Sequence, residues 1–326
     1  MIKIEKSFII VFILVSIFAC NTEEEIPLEY NEEPIESSES NRYMDALDSK
    51  FDALPEEDFA YMNSLPPYDP EELALALKKE SQQNSGNRST EEVWGIGTGR
   101  TVWKWNGASW GQPNPAARLD IVEVAKNGDE SVWGIGTGAT VWKWNGASWG
   151  QPNPAARLYH IAVYSSTIAF GIGSNGTLFV TYNGGQNWGY LNRDFTGAVW
   201  LSTGSSYPNG ILSVSDNIGN LYKYNALTQQ LNYITIPFVS NVHTTTSGGG
   251  VWAIDLLTKR VYKSLNYLNF TIPNYFTQLS IISSNDNQKA WAIRNDRTVW
   301  KTINSGATWY QPNSAARLDY ISAAFN

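Results

Sequence analysis

Residues 93–119, VWGIGTGRTVWKWNGASWGQPNPAARL, return as residues 132–158 with one difference, Arg100 in the first copy and Ala139 in the second. Weaker copies follow at AFGIGSNGTLFVTYNGGQNW, ILSVSDNIGNLYKYN, VWAIDLLTKRVYKS and AWAIRNDRTVWKTINSGATW. With Trp94, Trp133, Phe170, Leu212, Trp252 and Trp291 as markers, successive offsets are 39, 37, 42, 40 and 39 residues. A period of about 40 residues holding several short strands is the pattern of a propeller blade; solenoid repeats lack this density of strands.

Each unit reads as strand, turn, strand, turn, strand. In the second unit, residues 131–136 and 140–144 alternate β-branched, aromatic and glycine residues around Thr137-Gly138. Asn145-Gly146 is a favoured hairpin turn, and a short strand near Trp149 follows. Pro152 then bars continuation, as a connection between blades requires. Residues 158–164 form the inner strand of the next blade. The first unit starts at Val93 with no inner strand before it, while the last ends with a surplus one, LDYISAAF at residues 318–325. That final strand is expected to complete the first blade and close the ring. The fold class is therefore all-β: a six-bladed β-propeller closed by its C-terminal strand. Residues 302–309 (TINSGATW), and more weakly 181–188, resemble the Asp-box, a hairpin in which an Asx side chain holds turn amides.

Charge divides the chain. Between Asn21 and Glu92 there are 20 acidic and 5 basic residues, a net of −15. From Val93 onward there are 10 acidic and 16 basic, a net of +6. A mildly basic body tolerates anionic glycans but lacks the concentrated charge of nucleic-acid binders, so no nucleic-acid partner is expected. Residues 20–92 are expected to be an acidic spacer with short helices. Tyr43, Met44, Leu47, Phe51 and Leu54 recur at near-helical spacing. Asp69-Pro70-Glu71-Glu72 is an N-cap signal ahead of Leu73, Leu75 and Leu77. A short helical hairpin docked on the propeller is the expectation.

Cys20 is the single cysteine, which rules out an intrachain disulfide. Lys3 and Lys6 precede the apolar run 8–18, then Ala19 and Cys20, which has the layout of a signal peptide over residues 1–19. The apolar run is too short to span a bilayer. Ile17-Phe18-Ala19-Cys20 resembles a bacterial lipobox, in which the cysteine becomes the acylated first residue. The alternative is an ordinary signal peptide with a chance cysteine. Glu23, Glu24 and Glu25 resemble the export tag of surface-displayed lipoproteins, or form a plain solvated spacer. A monomer attached to the bacterial outer membrane only through its lipid is the expectation.

The run VWGIGTG…TVWKWNGASW…ARLDIVEVAKNGDESVWGIG resembles the tectonin repeat, found also in tachylectin-type lectins. The resemblance covers six units, three strong and three degenerate. It implies a six-bladed propeller that binds glycans, such as lipopolysaccharide or methylated sugars on cell surfaces. Gln-Pro-Asn-Pro-Ala-Ala-Arg replaces the family's shorter Pro-Gly turn between blades, so sugar contacts must be read from this chain alone.

Three copies of W-x-Q-P-N-x-A-A-R-L stand out: Trp110, Gln112, Asn114 and Arg118; Trp149, Gln151, Asn153 and Arg157; Trp309, Gln311, Asn313 and Arg317. They fall in blades one, two and six, adjacent once the ring closes. An indole stacks on sugar C–H faces, amides pair with hydroxyls, and a guanidinium forks onto hydroxyls or anions. The competing reading is structural, since repeat aromatics are commonly core and a connecting Arg can tie carbonyls together. Trp94, Trp103 and Trp105 are read as core. His160 and His243 lie in non-equivalent surroundings, so no triad, metal site or paired acids emerge, and neither a cofactor nor catalysis is expected. A sialidase-like hydrolase is the catalytic rival and a protein-interaction scaffold the other alternative. Arg118, Arg157 and Arg317 occupy equivalent points around the ring and are poorly placed to converge on one carboxylate.

Overall fold

The computed structural model describes residues 54–83 and 91–325, apart from 128, 193–194, 196, 205–209, 237–238, 245–249, 256 and 276. The expected signal peptide, Cys20, the Glu23–Glu25 run and the periodic stretch from Tyr43 to Phe51 lie outside the described residues.

The second unit shows why each repeat becomes a small sheet. Val132, Trp133, Gly134 and Ile135 are all buried, because both faces of the strand meet a neighbouring blade. Gly134 is a packing requirement: a Cβ there would lie 2.5 Å from Leu119 Cδ1. Gly95 stands in the same relation to Leu318, and Gly171 to Leu158. The leucine that ends each Ala-Ala-Arg-Leu run thus plugs the notch left by a glycine. The next turn needs a left-handed residue, supplied by Gly138 at φ 69° and then Ala139 at φ 56°.

Blade one contains β1 (Glu92–Gly97), β2 (Thr101–Trp105) and β3 (Trp110–Gly111). Blade two has β4 (Ile121–Val124), β5 (Val132–Ile135), β6 (Val141–Trp144) and β7 (Trp149–Gly150). Blade three has β8 (His160–Val163), β9 (Ala169–Ile172), β10 (Leu178–Thr181) and β11 (Gly189–Asn192). Blade four has β12 (Ala198–Thr203), β13 (Ile211–Asp216), β14 (Leu221–Asn225) and β15 (Gln230–Ile234). Blade five has β16 (Val239–Thr244), β17 (Val251–Asp255) and β18 (Val261–Ser264). Blade six has β19 (Ile281–Ser283), β20 (Ala290–Ile293) and β21 (Val299–Thr302), and β22 (Tyr320–Ala324) comes last. Consecutive strands pair antiparallel within each blade.

Ring closure is as the sequence implied. β22 pairs with β1 in the register Trp94↔Ser322, so the last strand of the chain is the inner strand of the first blade. In blades five and six the fourth strand shrinks to single bridges, Lys263↔Thr271 and Lys301↔Tyr310. The Asp-box-like hairpins form as read. Asn304 Oδ1 accepts from Thr308 N at 3.0 Å, and Asn183 Oδ1 from Asn187 N at 3.0 Å.

Antiparallel order fixes two faces. Connections from first to second and third to fourth strand lie on one, the lower face. Second-to-third turns and the passage to the next blade reach the other, the upper face. The segment before β1 uses both. A 3-10 turn, Glu56–Phe59, runs into α1 (Ala60–Ser64) at the upper rim, where Phe59 meets the Tyr159 ring edge-on at 4.8 Å. Pro66 to Tyr68 then follows the outer edge of blade three, with Tyr68 N donating to Tyr190 O and Tyr190 N to Pro66 O, both at 3.1 Å. α2 (Pro70–Gln83) crosses the lower face. Asp69 caps it by accepting from Glu71 N at 2.8 Å and Glu72 N at 3.3 Å. Leu73 and Leu77, one turn apart, are buried against blades three and four, while Leu75 points to solvent. α1 and α2 form a strap on opposite faces, because Pro66 and Pro67 hold the chain extended between them, and the first helix of the expected hairpin lies outside the described residues.

Candidate functional site

The three W-x-Q-P-N-x-A-A-R-L blocks each climb from the outer strand of one blade to the inner strand of the next. Their tryptophans face inward. Trp110 lies 5.5 Å from Trp105 and 6.0 Å from Trp291 of the preceding blade, in tilted and edge-on contact. Trp149 repeats this with Trp144 at 5.5 Å and Trp94 at 6.0 Å, and Trp309 with Trp252 at 6.5 Å. These indoles staple adjacent blades, and packing already engages the faces that a sugar would need.

The asparagines shape the connection. Asn114, Asn153 and Asn313 each accept a backbone N–H two residues on, from Ala116, Ala155 and Ala315, at 3.0–3.1 Å. The resulting Asx turn lets the arginine fold back on its own loop. Arg118 Nη1 donates to Pro115 O and Ala117 O, both at 2.7 Å. Arg157 bonds Pro154 O and Ala156 O, and Arg317 bonds Ser314 O and Ala316 O, in the same way. Among the described contacts the remaining guanidinium nitrogens of all three make no hydrogen bond. Gln112, Gln151 and Gln311 are half-buried on the same connections. The amide nitrogens of Asn114 and Asn313 likewise have no described partner. That of Asn153 has two, Tyr61 Oη of the strap and Gln186 O, each at 2.9 Å. The blade-two copy is thus partly covered, and the copies in blades six and one are open.

Sequence reasoning missed the ion pairs beside these blocks. Arg100 clasps Asp120 with Nε–Oδ1 and Nη2–Oδ2 both at 2.7 Å, and reaches Thr137 Oγ1 of blade two at 2.5 Å. Arg297 repeats the clasp on Asp319 and reaches Thr98 Oγ1 of blade one at 2.7 Å. At the next boundary the corresponding residues are Ala139 and Tyr159, and Phe59 covers that tyrosine. So the single difference between the identical repeats marks the place where the strap docks.

A second concentration of chemistry fills the centre of the ring. Glu123 Oε1 accepts from Tyr320 Oη at 2.6 Å, and its Oε2 from Ser322 Oγ at 2.9 Å. Lys126 Nζ lies 3.8 Å from Glu123 Oε2 and donates to Ala323 O at 2.7 Å. Tyr320 Oη is 3.4 Å from His160 Nε2, and the Trp200 ring packs on both, 4.4 Å from His160 and 5.8 Å from Tyr320. Burial raises the Glu123 carboxyl and lowers the Lys126 amine, with each charge partly offsetting the other. Burial also pushes His160 down to about 3 and His243 well below its ordinary value, so both are neutral. Both histidines and Glu123 are 2% exposed, too closed off for a substrate to reach them. Further links run between inner strands: Ser322 Oγ accepts Val124 N, Ser283 Oγ accepts Ala323 N, and Asn241 Oδ1 accepts Ile282 N, at 2.9–3.0 Å. The cluster therefore ties blades together. Among the described residues no group of His, Cys, Asp and Glu is arranged to hold a metal ion, and no helix is long and apolar enough to cross a membrane.

The class defined by this architecture is the β-propeller. No protein-family model and no curated protein matches the sequence. Among solved structures, a chain of a nidogen/laminin complex is similar with a TM-score of 0.59 and 11% identity, over 72% of this chain and 99% of that one. YCF48 from Cyanidioschyzon merolae matches with a TM-score of 0.47 and 16% identity, over 70% of this chain and 83% of that one. The GH74 enzyme of Niastella koreensis matches at 0.49 and 12%, over 68% of this chain and 43% of that one. At these identities the likeness speaks for fold alone.

Proposed function

We propose that this protein is a non-catalytic, lectin-like lipoprotein, related to the tectonin and tachylectin-type propellers, that binds carbohydrate at the upper-to-outer rim of blades six, one and two. The observation that carries this reading is the repetition of one rim geometry. Behind an Asx turn, loop carbonyls hold the arginine by Nη1 and its other nitrogens have no described partner, in Arg118, Arg157 and Arg317 alike, with Arg118 and Arg317 exposed and Arg157 half-buried. That edge, with the neighbouring glutamine and the amides of Asn114 and Asn313, offers hydroxyl or anionic sugar groups a set of charged and neutral donors. The tryptophans support the rim from beneath. Weak equivalent sites gain strength when several engage one polymer, so lipopolysaccharide-like polymers are the fitting partners. The Lys3/Lys6 region, the apolar run and Ile17-Phe18-Ala19-Cys20 support lipidation at Cys20 and an outer-membrane, surface-exposed location.

The test is a glycan array probed with a soluble form beginning at Asn21, beside a variant carrying Arg118→Ala, Arg157→Ala and Arg317→Ala. Binding that falls at least tenfold in the triple variant supports the assignment. Binding left intact removes those arginines from the site, and turnover of a sialoside would replace the reading with an enzymatic one.

A further inference from the structure

The six inner strands bring their side chains together in levels along the ring axis. Pairing with the second strand of each blade aligns Glu123, Ala162, Ser202, His243, Ser283 and Ser322 at one level. Four of these six are alanine or serine, so little of the axis is filled there. The level above carries His160, Trp200, Asn241 and Tyr320 with two isoleucines, and large side chains close it. Trp200 of blade four stacks on Tyr320 of blade one, the opposite blade, at 5.8 Å and 23°, so its indole lies across the axis. The same indole meets His160 at 4.4 Å and His243 at 5.9 Å.

Five nitrogens of these two levels are buried without a hydrogen-bond partner: Trp200 Nε1, Asn241 Nδ2, His160 Nδ1 and both ring nitrogens of His243. Trp200 is 1% exposed, and His160, Asn241 and His243 are each 2% exposed. Buried polar atoms are ordinarily paired, so a concentration of unpaired ones at one place is a mark of a ligand. Their chemistry says which kind. Asn241 Oδ1 accepts Ile282 N at 3.0 Å, which fixes the amide and makes Nδ2 a donor. An indole nitrogen can only donate. Tyr320 Oη gives its proton to Glu123, so in its 3.4 Å contact with His160 the Nε2 is the donor and Nδ1 carries a lone pair. His243, when neutral, offers one donor and one lone pair. Donors therefore outnumber lone pairs. Glu123 is already engaged by Tyr320 and Ser322 at 2.6 and 2.9 Å. After burial itself, the largest influence on His243 is the positive charge of Lys126, on the opposite blade two. Surplus donors in a positive field match an anion, and among the described residues no set of ligands suits a metal ion.

We propose that the centre of the ring, at the level of His243, holds a small inorganic anion such as chloride, bound by Asn241 Nδ2, Trp200 Nε1 and a ring nitrogen of His243. Because all three side chains are buried, the anion enters before the ring is complete. β22 then seals it in, since Tyr320 and Ser322 supply blade one's part of both levels. The bound ion satisfies donors that would otherwise be stranded, and so favours the closed ring over the open chain. The inference is independent of the carbohydrate reading, which concerns the upper-to-outer rim.

The soluble form beginning at Asn21 is refolded from urea in sodium bromide or, at equal ionic strength, in sodium isethionate, whose anion is too large for the site. After gel filtration into isethionate, bromide is measured by elemental mass spectrometry, and crystals of the same material are examined for anomalous scattering. The expected result is a single retained bromide per chain, with its anomalous peak beside Asn241, Trp200 and His243. The melting temperature is expected to rise by about 5 °C when bromide exceeds its dissociation constant about a hundredfold. Trp200→Phe keeps the ring but removes its donor, and Asn241→Asp keeps the acceptor for Ile282 N while replacing Nδ2 by an oxygen. Each is expected to lose the bromide, and cooperative melting in isethionate shows that each still folds. Melting that is indifferent to the anion, or bromide retained equally by both variants, overturns the proposal. Density at the site without an anomalous signal assigns it to water and overturns it too. A peak that appears only when crystals are soaked, and not in refolded protein, marks an adventitious ion only and has the same consequence.

Discussion

Replacing His160 by glutamine isolates one titrating group at the centre of the ring. The imidazole is buried, and its pKa is lowered from 6.5 to about 3 by desolvation. Because the folded value lies below the unfolded one, the unfolded chain binds more protons between pH 6.5 and about 3. Stability from the buried neutral ring is complete above pH 6.5 and is lost as pH falls through that window. From pH 7 to pH 5 the loss is about 2 kcal/mol, since 1.36 kcal/mol accompanies each unit once the unfolded histidine is charged. His243 adds a loss of the same sign, and Glu123, whose carboxyl is raised, acts oppositely on acidification. Those contributions are shared by parent and variant. Glutamine keeps a polar partner near Tyr320 but does not titrate. For a domain of this size about 2 kcal/mol corresponds to about 4–8 °C in melting temperature. Thermal melting followed by circular dichroism at pH 7 and pH 5 should show the parent falling further than His160→Gln by that margin. Equal falls in the two proteins would refute the assignment of a neutral, fully desolvated imidazole.

Leu77→Ala removes a buried strap side chain and is expected to lower stability by about 2–5 kcal/mol, measured by urea denaturation with tryptophan fluorescence. Deleting the residues from Asp319 onward leaves β1 without its inner partner, so the truncated protein should lack cooperative melting and be recovered as aggregate by size-exclusion chromatography. Ala139→Arg restores the residue found at the equivalent turn in blade one, but beside Tyr159 and Phe59 rather than an aspartate. It should loosen the strap and speed proteolysis before Glu91, whereas unchanged cleavage would argue against the strap's docking there. Cys20→Ser is expected to abolish incorporation of labelled palmitate and release the protein from the membrane fraction.

Blade number, strand order and closure were legible because each depends on local spacing. The pairing Trp94↔Ser322 follows once LDYISAAF is recognised as a surplus inner strand. The hairpin amides held by Asn304 are equally local, three to four residues apart in sequence. The three rim blocks are legible as repeats, but their packing is not. Nothing in W-x-Q-P-N-x-A-A-R-L shows that Trp110 meets Trp291, because that contact joins positions 181 residues apart in different blades. For the same reason the Arg100/Ala139 difference carries no signal within the repeat itself. The value of Arg100 depends on Asp120 in the next connection, and Ala139 makes sense only when Phe59 is seen on Tyr159. The leucines of α2 were read as a row, yet only Leu73 and Leu77 share the buried face, as helical periodicity would have indicated.

Closure of the first blade by the last strand also sets an order of assembly. As the chain emerges from synthesis, blades two to six can each pair their strands locally, whereas β1 waits for its inner partner more than two hundred residues downstream. Until β22 arrives, the edge of β1 is unpaired and Trp94 and Trp291 lack part of their surroundings. The strap is made first but finds its seat only after blades three and four exist, so it is held in reserve through most of synthesis. The slowest contacts to form are thus the two that bring the ends of the molecule into the ring. A chaperone that shields the first repeat, or a delay in releasing the final eight residues, would act on yield far more than on final stability.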